Sequence, residues 1–298
     1  MSNPNRSVRC TNENGVSYTF GNVLNDAQPF LLTDAEGIYG AEANVTTSAN
    51  TMTDGSTYQG TTMAMRNIVL TLRDAPWANH RKNRDRLYAL FKYKAPGTLS
   101  FTEDGVTREI DYYVESITPD SVPRSRTYTI SLLCPDAFFR DTQDTVVEMG
   151  GWVSGFEFLH EFFDEGEEFG TRSMERLGTI VNESAADNIG VTITIEAVNG
   201  ITNPEITIVE TQESIKLGTP AAPLSLNTGD VLVITTGRGN KHCMLTSGGI
   251  KQDVNAYLTQ ESEFVQLSRG NNTFSYTADS GAENMMVTIS YRFLYAGV

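Results

Sequence analysis

Cysteine is scarce in this chain: three residues in 298, Cys10, Cys134 and Cys243. An odd number with no C-x-x-C spacing excludes a disulfide framework and a cysteine zinc site. The three are expected to be free thiols of a protein made in a reducing compartment. Histidine is equally thin. His80, His160 and His242 stand singly, so no paired-histidine metal spacing of the H-E-x-x-H kind exists. Ten prolines exclude a Pro-rich low-complexity class. No apolar run approaches the roughly 20 residues of a membrane helix. The opening Met1 to Arg6 is polar, and a secretory signal is not expected there.

Catalytic patterns are missing as well. The string nearest to a nucleophile elbow, Gly151 to Gly155, does not fit G-x-S-x-G. No histidine lies near a plausible nucleophile in sequence, so a triad has no positive support. The cluster His160, Glu161, Asp164, Glu165, Glu167 and Glu168 has the oxygen donors of a cation site. Its spacing is wrong for an EF-hand, and a solvated acidic loop is expected. Gly237 to Lys241 offers backbone amides and a Lys to an anion. It sits between two strands rather than before a helix, which reads as a hairpin turn. No catalytic residue, no metal ligand and no cofactor-binding residue is therefore assigned, and no cofactor is expected.

Short alternating strands are what the sequence does contain, and they place the chain in the all-β class. Ile68, Leu70 and Leu72 alternate with Val69, Thr71 and Arg73; Tyr128, Ile130, Leu132 and Cys134 alternate with Thr127, Thr129, Ser131 and Leu133. Asp104-Gly105 is a two-residue hairpin signal, because both central positions need positive φ. In the second half Val191, Ile193 and Ile195 form one alternating run. Val287, Ile289, Tyr291, Phe293 and Tyr295 form another, read as a single final strand. Frequent turn signals between such runs point to a sandwich or a barrel. One short helix is expected after Pro76, capped by Asp74, with Trp77, Arg84, Leu87, Tyr88 and Phe91 on one stripe. Arg81, Lys82, Arg86, Lys92 and Lys94 flank it and are expected to form a charged face held by ion pairs, rather than a nucleic-acid site.

The net charge of −15 is unevenly placed. Residues 1–140 carry 14 Lys+Arg and 15 Asp+Glu; residues 141–298 carry 8 and 22. The expected domains are 1–143 and 144–298. Such an acidic second half should repel nucleic acid and anionic membranes. Residues 141–170 hold nine acids, no Lys or Arg, and Trp152, Phe156, Phe158, Phe162, Phe163 and Phe169. This entry segment (144–170) reads either as the first strand and packing face of the second domain or as a docking arm for a partner.

Leu132 to Asp141 (LLCPDAFFRD), closing a β-rich half, resembles the end of the first domain of the distal tail protein (Dit) family of long-tailed, non-contractile phages. Arg66 to Leu70, the helix from Arg81 to Phe91, Gly97 to Phe101 and Arg108 to Val114 fall in the family's order. So do Phe156 to Phe158, Asn203 to Ile206, Gly229 to Ile234, Glu261 to Asn271 and the closing Tyr291 to Val298. The resemblance implies a structural protein with no enzymatic activity, placed in the virion at the tail tip or baseplate and assembled in the host cytoplasm. It implies an N-terminal β-barrel or sandwich domain that closes six copies into a ring, and a galectin-like C-terminal β-sandwich outside it. The implied partners are further copies of the chain, the tail tube protein, and tail-fibre and receptor-binding proteins. DNA would pass through the ring without specific binding, and no membrane is involved. Sugar-binding galectins use a His-x-Asn-x-Arg strand; His242 lacks the Asn and Arg, so no carbohydrate residues carry over. A carbohydrate-binding adhesin module is the alternative function.

Overall fold

Alternating burial along the sequence becomes strand after strand in the computed structural model. It describes residues 6–21, 29–50, 52, 54–120, 126–150, 152–154, 170–172 and 176–298. The chain divides into two units: residues 1–142 with 294–298, and residues 143–293. The final five residues thus belong to the first unit, where the sequence placed them in the second domain.

In the first unit the strands are β1 (Ser7–Asn12), β2 (Ser17–Gly21), β3 (Phe30–Glu36), β4 (Ala43–Ala49), β5 (Ser56–Met63) and β6 (Arg66–Asp74). Helix α1 (His80–Leu90) follows, then β7 (Pro96–Glu103), β8 (Val106–Pro119), β9 (Thr127–Cys134) and β10 (Phe139–Asp141). The sheet runs β8-β7-β1-β2-β3-β6-β9, and β9 pairs again with β8, so it closes on itself. The 14-residue β8 makes closure possible: Val106 to Tyr113 pair with β7, and Tyr113 to Pro119 pair with β9. Closure removes the exposed edges an open sheet would leave. Asp104 (φ 48°) and Gly105 (φ 87°) make the expected turn between β7 and β8. Side chains pointing inward from the strands other than β4 and β5 fill the barrel, among them Val8, Phe20, Leu70, Leu99, Ile110 and Ile130.

The helix departs from its expected form. It begins at His80, and Asn79 caps it by accepting from the Lys82 amide. Asp74 instead ends β6. Only Leu87 and Phe91 of the expected stripe are buried; Leu90 joins them, while Trp77 lies before the helix and is 61% exposed. Pro76 initiates a turn rather than the helix, so the apolar spacing counted from Trp77 was out of phase with the true first turn.

The second unit contains β11 (Thr145–Met149), β12 (Trp152–Ser154), β13 (Gly170–Arg172), β14 (Leu177–Asn182), β15 (Asn188–Gly190), β16 (Thr192–Ala197) and β17 (Ile201–Ile208). It continues with β18 (Ser214–Lys216), β19 (Ser225–Leu226), β20 (Val231–Gly237), β21 (Asn240–Ser247), β22 (Ile250–Asp253), β23 (Gln266–Ser268), β24 (Gly270–Ser280) and β25 (Met285–Tyr291). One sheet has the order β11-β25-β16-β20-β21-β22, the other β14-β24-β17-β18. Register lays buried residues in rows across strands: Ile289, Ile193, Ile234 and Cys243 form one, and Val287, Ile195, Leu232 and Leu245 the next. On the second sheet Ile180, Ile206, Ile208 and Phe274 are buried. Each sheet therefore hides one face, which is the sandwich pattern. Phe156, Phe158, Phe162, Phe163 and Phe169 of the entry segment lie outside the described residues.

The long final strand of the sequence reading is two strands. β25 stops at Tyr291, and β26 (Leu294–Tyr295) pairs with β10 in the first unit. Arg66 explains its position there. This residue is almost wholly buried and faces no carboxylate among the described residues. Its five N–H groups are all used: Nε and one Nη2 hydrogen reach the Ala137 carbonyl (3.0 and 2.9 Å), and Nη1 reaches those of Gly37 (2.7 Å) and Ile38 (3.0 Å). Nη2 also donates to the Ala296 carbonyl. The cation lies 4.9 Å from the Phe139 ring centroid. Desolvation pulls its pKa below the ordinary arginine value. Gly37 has φ +79°, and a Cβ there would run into the Asn67 carbonyl, so only glycine can present its oxygen in this way. Arg108 grips the same segment, stacking 3.6 Å from the Tyr295 ring and donating to the Gly297 carbonyl. Tyr295 in turn donates to Asp141 (3.1 Å).

All three cysteines are buried and free. Burial pushes the Cys134 and Cys243 thiols up to about 12 and raises Cys10 further. Since the thiolate is the reactive form, Ellman's reagent should label none of the three quickly in the native protein and all three in denaturant. Arg66→Lys, which supplies three donors where five are used, should destabilise the first unit by about 3 kcal/mol in urea unfolding. A variant lacking residues 294–298 should lose roughly 1–3 kcal/mol in the same measurement, because it strands buried donors of Arg66 and Arg108.

Candidate functional site

Sequence reading assigned no catalytic, cofactor or metal residue. Among the described residues, no group of three or more His, Cys, Asp or Glu is placed to hold a metal ion. The His160 to Glu168 cluster lies outside those residues. One constellation that the sequence did not signal is assembled at the start of α1. Asp74, whose carboxylate is fully buried, meets His80 Nδ1 (2.6 Å), the Asn83 amide (3.0 Å) and the Tyr128 hydroxyl (3.1 Å). Tyr128 also lies 2.7 Å from His80 Nδ1, and the two rings stack at 5.2 Å. Burial and then the Asp74 charge raise the Tyr128 pKa, the reverse of what an activated nucleophile needs. The cluster ties α1 to β6 and β9. Only the fold could reveal it, because Tyr128 is 54 residues from Asp74 in sequence.

The remaining motifs resolve into structure. Gly237 to Asn240 is the two-residue turn between β20 and β21. His242 faces Thr235 Oγ1 across that hairpin at 3.0 Å. Asp279 accepts from Asn203 (2.7 Å) and Lys216 (2.8 Å), and these bonds hold its carboxyl below the ordinary range. The family-like strings at Arg66 and at Pro135 to Arg140 converge on the Arg66 network, so they encode packing and chain return.

The basic run around α1 differs from the expected ion-paired face. Lys92 to Glu13, at 3.9 Å, is its one ion pair among the described residues. Arg81, Lys82, Arg86 and Lys94 are exposed, with no acid among the described residues within 4 Å. Tyr88 and Tyr93 are exposed beside them. Cations and aromatics left in water on one face suit contact with another molecule.

Two further features of the first unit suit contact. Strands β4 and β5 form a sheet of their own, joined to no other described strand. Apart from Gly60, every residue in them is exposed. Val45, Tyr58 and Met63 are among them, and Met52 at the tip is 96% exposed. A lone two-stranded ribbon is marginal in water. Between β2 and α1 lies a pocket of about 370 Å³ lined by Val16, Tyr18, Phe30, Leu87 and Leu90, with Arg86 as its one charged residue. Nothing in the sequence marked it, because its walls come from three separate elements.

Comparison with known proteins follows this division. Residues 15–134 match the phage tail protein RIFT-related domain, and residues 185–295 match the siphovirus-type tail component, C-terminal domain. Together they span more than three quarters of the chain, in the same order. A search of curated proteins finds no match. The fold is that of the solved distal tail protein (Dit) of phage SPP1: TM-score 0.66, 13% identity, covering 96% of this chain and 98% of that one. Two solved structures of the phage p2 baseplate in its activated conformation are also similar. The calcium form has a TM-score of 0.53 at 10% identity, covering 99% of this chain and 100% of the other. The strontium form gives 0.55 at 10%, covering 98% and 99%. With both domain matches in family order and the barrel and sandwich both present, the chain belongs to the siphovirus distal tail protein family and is a structural component of the phage tail, not an enzyme.

Proposed function

We propose that this protein is the hub of the tail tip, six copies closing through their first units into a ring that continues the tail tube. The second unit, a galectin-like sandwich in this reading, hangs outside as a docking site for tail-fibre and receptor-binding proteins. Assembly takes place in the host cytoplasm, and DNA passes through the ring without specific binding. The observation that carries the reading is the charge division between the units. The first unit holds 14 Lys+Arg and 16 Asp+Glu; the second holds 8 and 21. A closed ring needs two different complementary surfaces on each subunit. A near-neutral unit meets copies of itself at little electrostatic cost. Units of net −13 repel one another within about one Debye length, ~8 Å at physiological salt, which keeps docking sites apart.

The SPP1 protein, which shares this fold, is described as a paradigm of the hub adsorption apparatus in phages infecting Gram-positive bacteria, and that supports the same role here. The carbohydrate-binding alternative has no matching strand: His242 is engaged with Thr235 and has no Asn or Arg at the galectin offsets.

Light scattering of the full chain should give about six times its 32.8 kDa mass. Negative-stain images should show six-fold rings with a central hole. Residues 143–293 expressed alone should remain monomeric. A full chain that stays monomeric at micromolar concentration, or second units that self-associate, would overturn the reading.

A further inference from the structure

The ring reading leaves open which surfaces meet, and the first unit offers a matched pair. At the tip of the β4–β5 ribbon, Met52 is almost completely exposed, and Asp54 is the one charged residue between Glu42 and Arg66. The pocket beside α1 has the complementary composition: apolar walls from Tyr18, Phe30, Leu87 and Leu90, and one cation, Arg86, exposed and without an acidic partner among the described residues. An unbranched thioether adapts to an irregular, aromatic-lined space. An acid two residues on suits a guanidinium at the same mouth.

The two features stand at opposite ends of one strand pair. Phe30 pairs with Asp74 at the pocket end of β3–β6, and Glu36 pairs with Val69 at the ribbon end. Seven residues of strand separate these ends by about 20 Å, and the seven-residue β4 gives the ribbon a similar length. A tip seated in the pocket of another copy makes a head-to-tail contact, which closes into a ring when its rotation permits.

We propose that the ribbon tip of one copy seats Met52 in the β2–α1 pocket of the next, with Asp54 on Arg86. This rests on the ring reading and supplies its contact. The contact also gives the exposed ribbon a partner at its tip.

The test is charge exchange in the full chain, followed by light scattering over a concentration series. Asp54→Lys and Arg86→Glu should each weaken assembly at least tenfold. The double variant Asp54→Lys/Arg86→Glu should recover most of it. Both side chains are exposed, so the circular dichroism spectra of the variants should match that of the natural chain. Independently, a Met52→Cys/Val16→Cys chain should form intermolecular disulfide ladders on mild oxidation, since the three native thiols are buried. If the natural chain assembles while the single variants assemble equally well, or the double variant recovers nothing, the contact is overturned and the ring stands. If the natural chain never assembles, both fall. Ladders absent from an assembled Met52→Cys/Val16→Cys chain would also overturn the contact.

Discussion

A buried guanidinium with no acidic partner among the described residues ties three separate stretches of the first unit together. Removing a full charge from water is costly unless each of its donors is satisfied. Arg66 meets that condition with carbonyls from three separate stretches: the turn after β3, the loop before β10, and residue Ala296. Each oxygen must arrive at a set place around one planar group. The barrel's closing loop, the β3 turn and the returning chain end are thereby fixed relative to one another, and Phe139 covers the remaining face.

Strands were legible because burial alternates residue by residue. Ile193 and Ile195, or Leu70 and Leu72, needed no knowledge of their neighbours to be placed inward. The Asp104-Gly105 turn was readable from its own backbone demand. Closure of the barrel was not, since it depends on a second partner for the far half of β8. Nor was the break after Tyr291. Phe293 and Tyr295 continue the apolar period across it, while pairing with β10 and bonds from Arg66 and Arg108 hold the residues that follow. Family-like strings at Arg66 and Pro135 to Arg140 were visible in sequence, while their shared purpose emerged only in three dimensions.

Surfaces for association were the least legible part. The α1 basic run was visible, yet its lack of acidic neighbours depends on strands distant in sequence. The pocket has walls from β2, β3 and α1, with no local signature. The Thr- and Ser-rich stretch that forms β4 and β5 carries almost no apolar alternation, because neither of its faces enters a core. A segment that packs only against another molecule escapes a reading built on internal burial.

The chain leaves the first unit at residue 142 and re-enters it at 294. During synthesis the ribosome therefore delivers the whole second unit before the first can be finished. The second sandwich can fold while the barrel still awaits β26 and the last acceptor for Arg66. A polypeptide that ends before residue 296 lacks that acceptor for Arg66. The last acceptor that Arg66 engages is thus also the last to be translated, after the entire second unit.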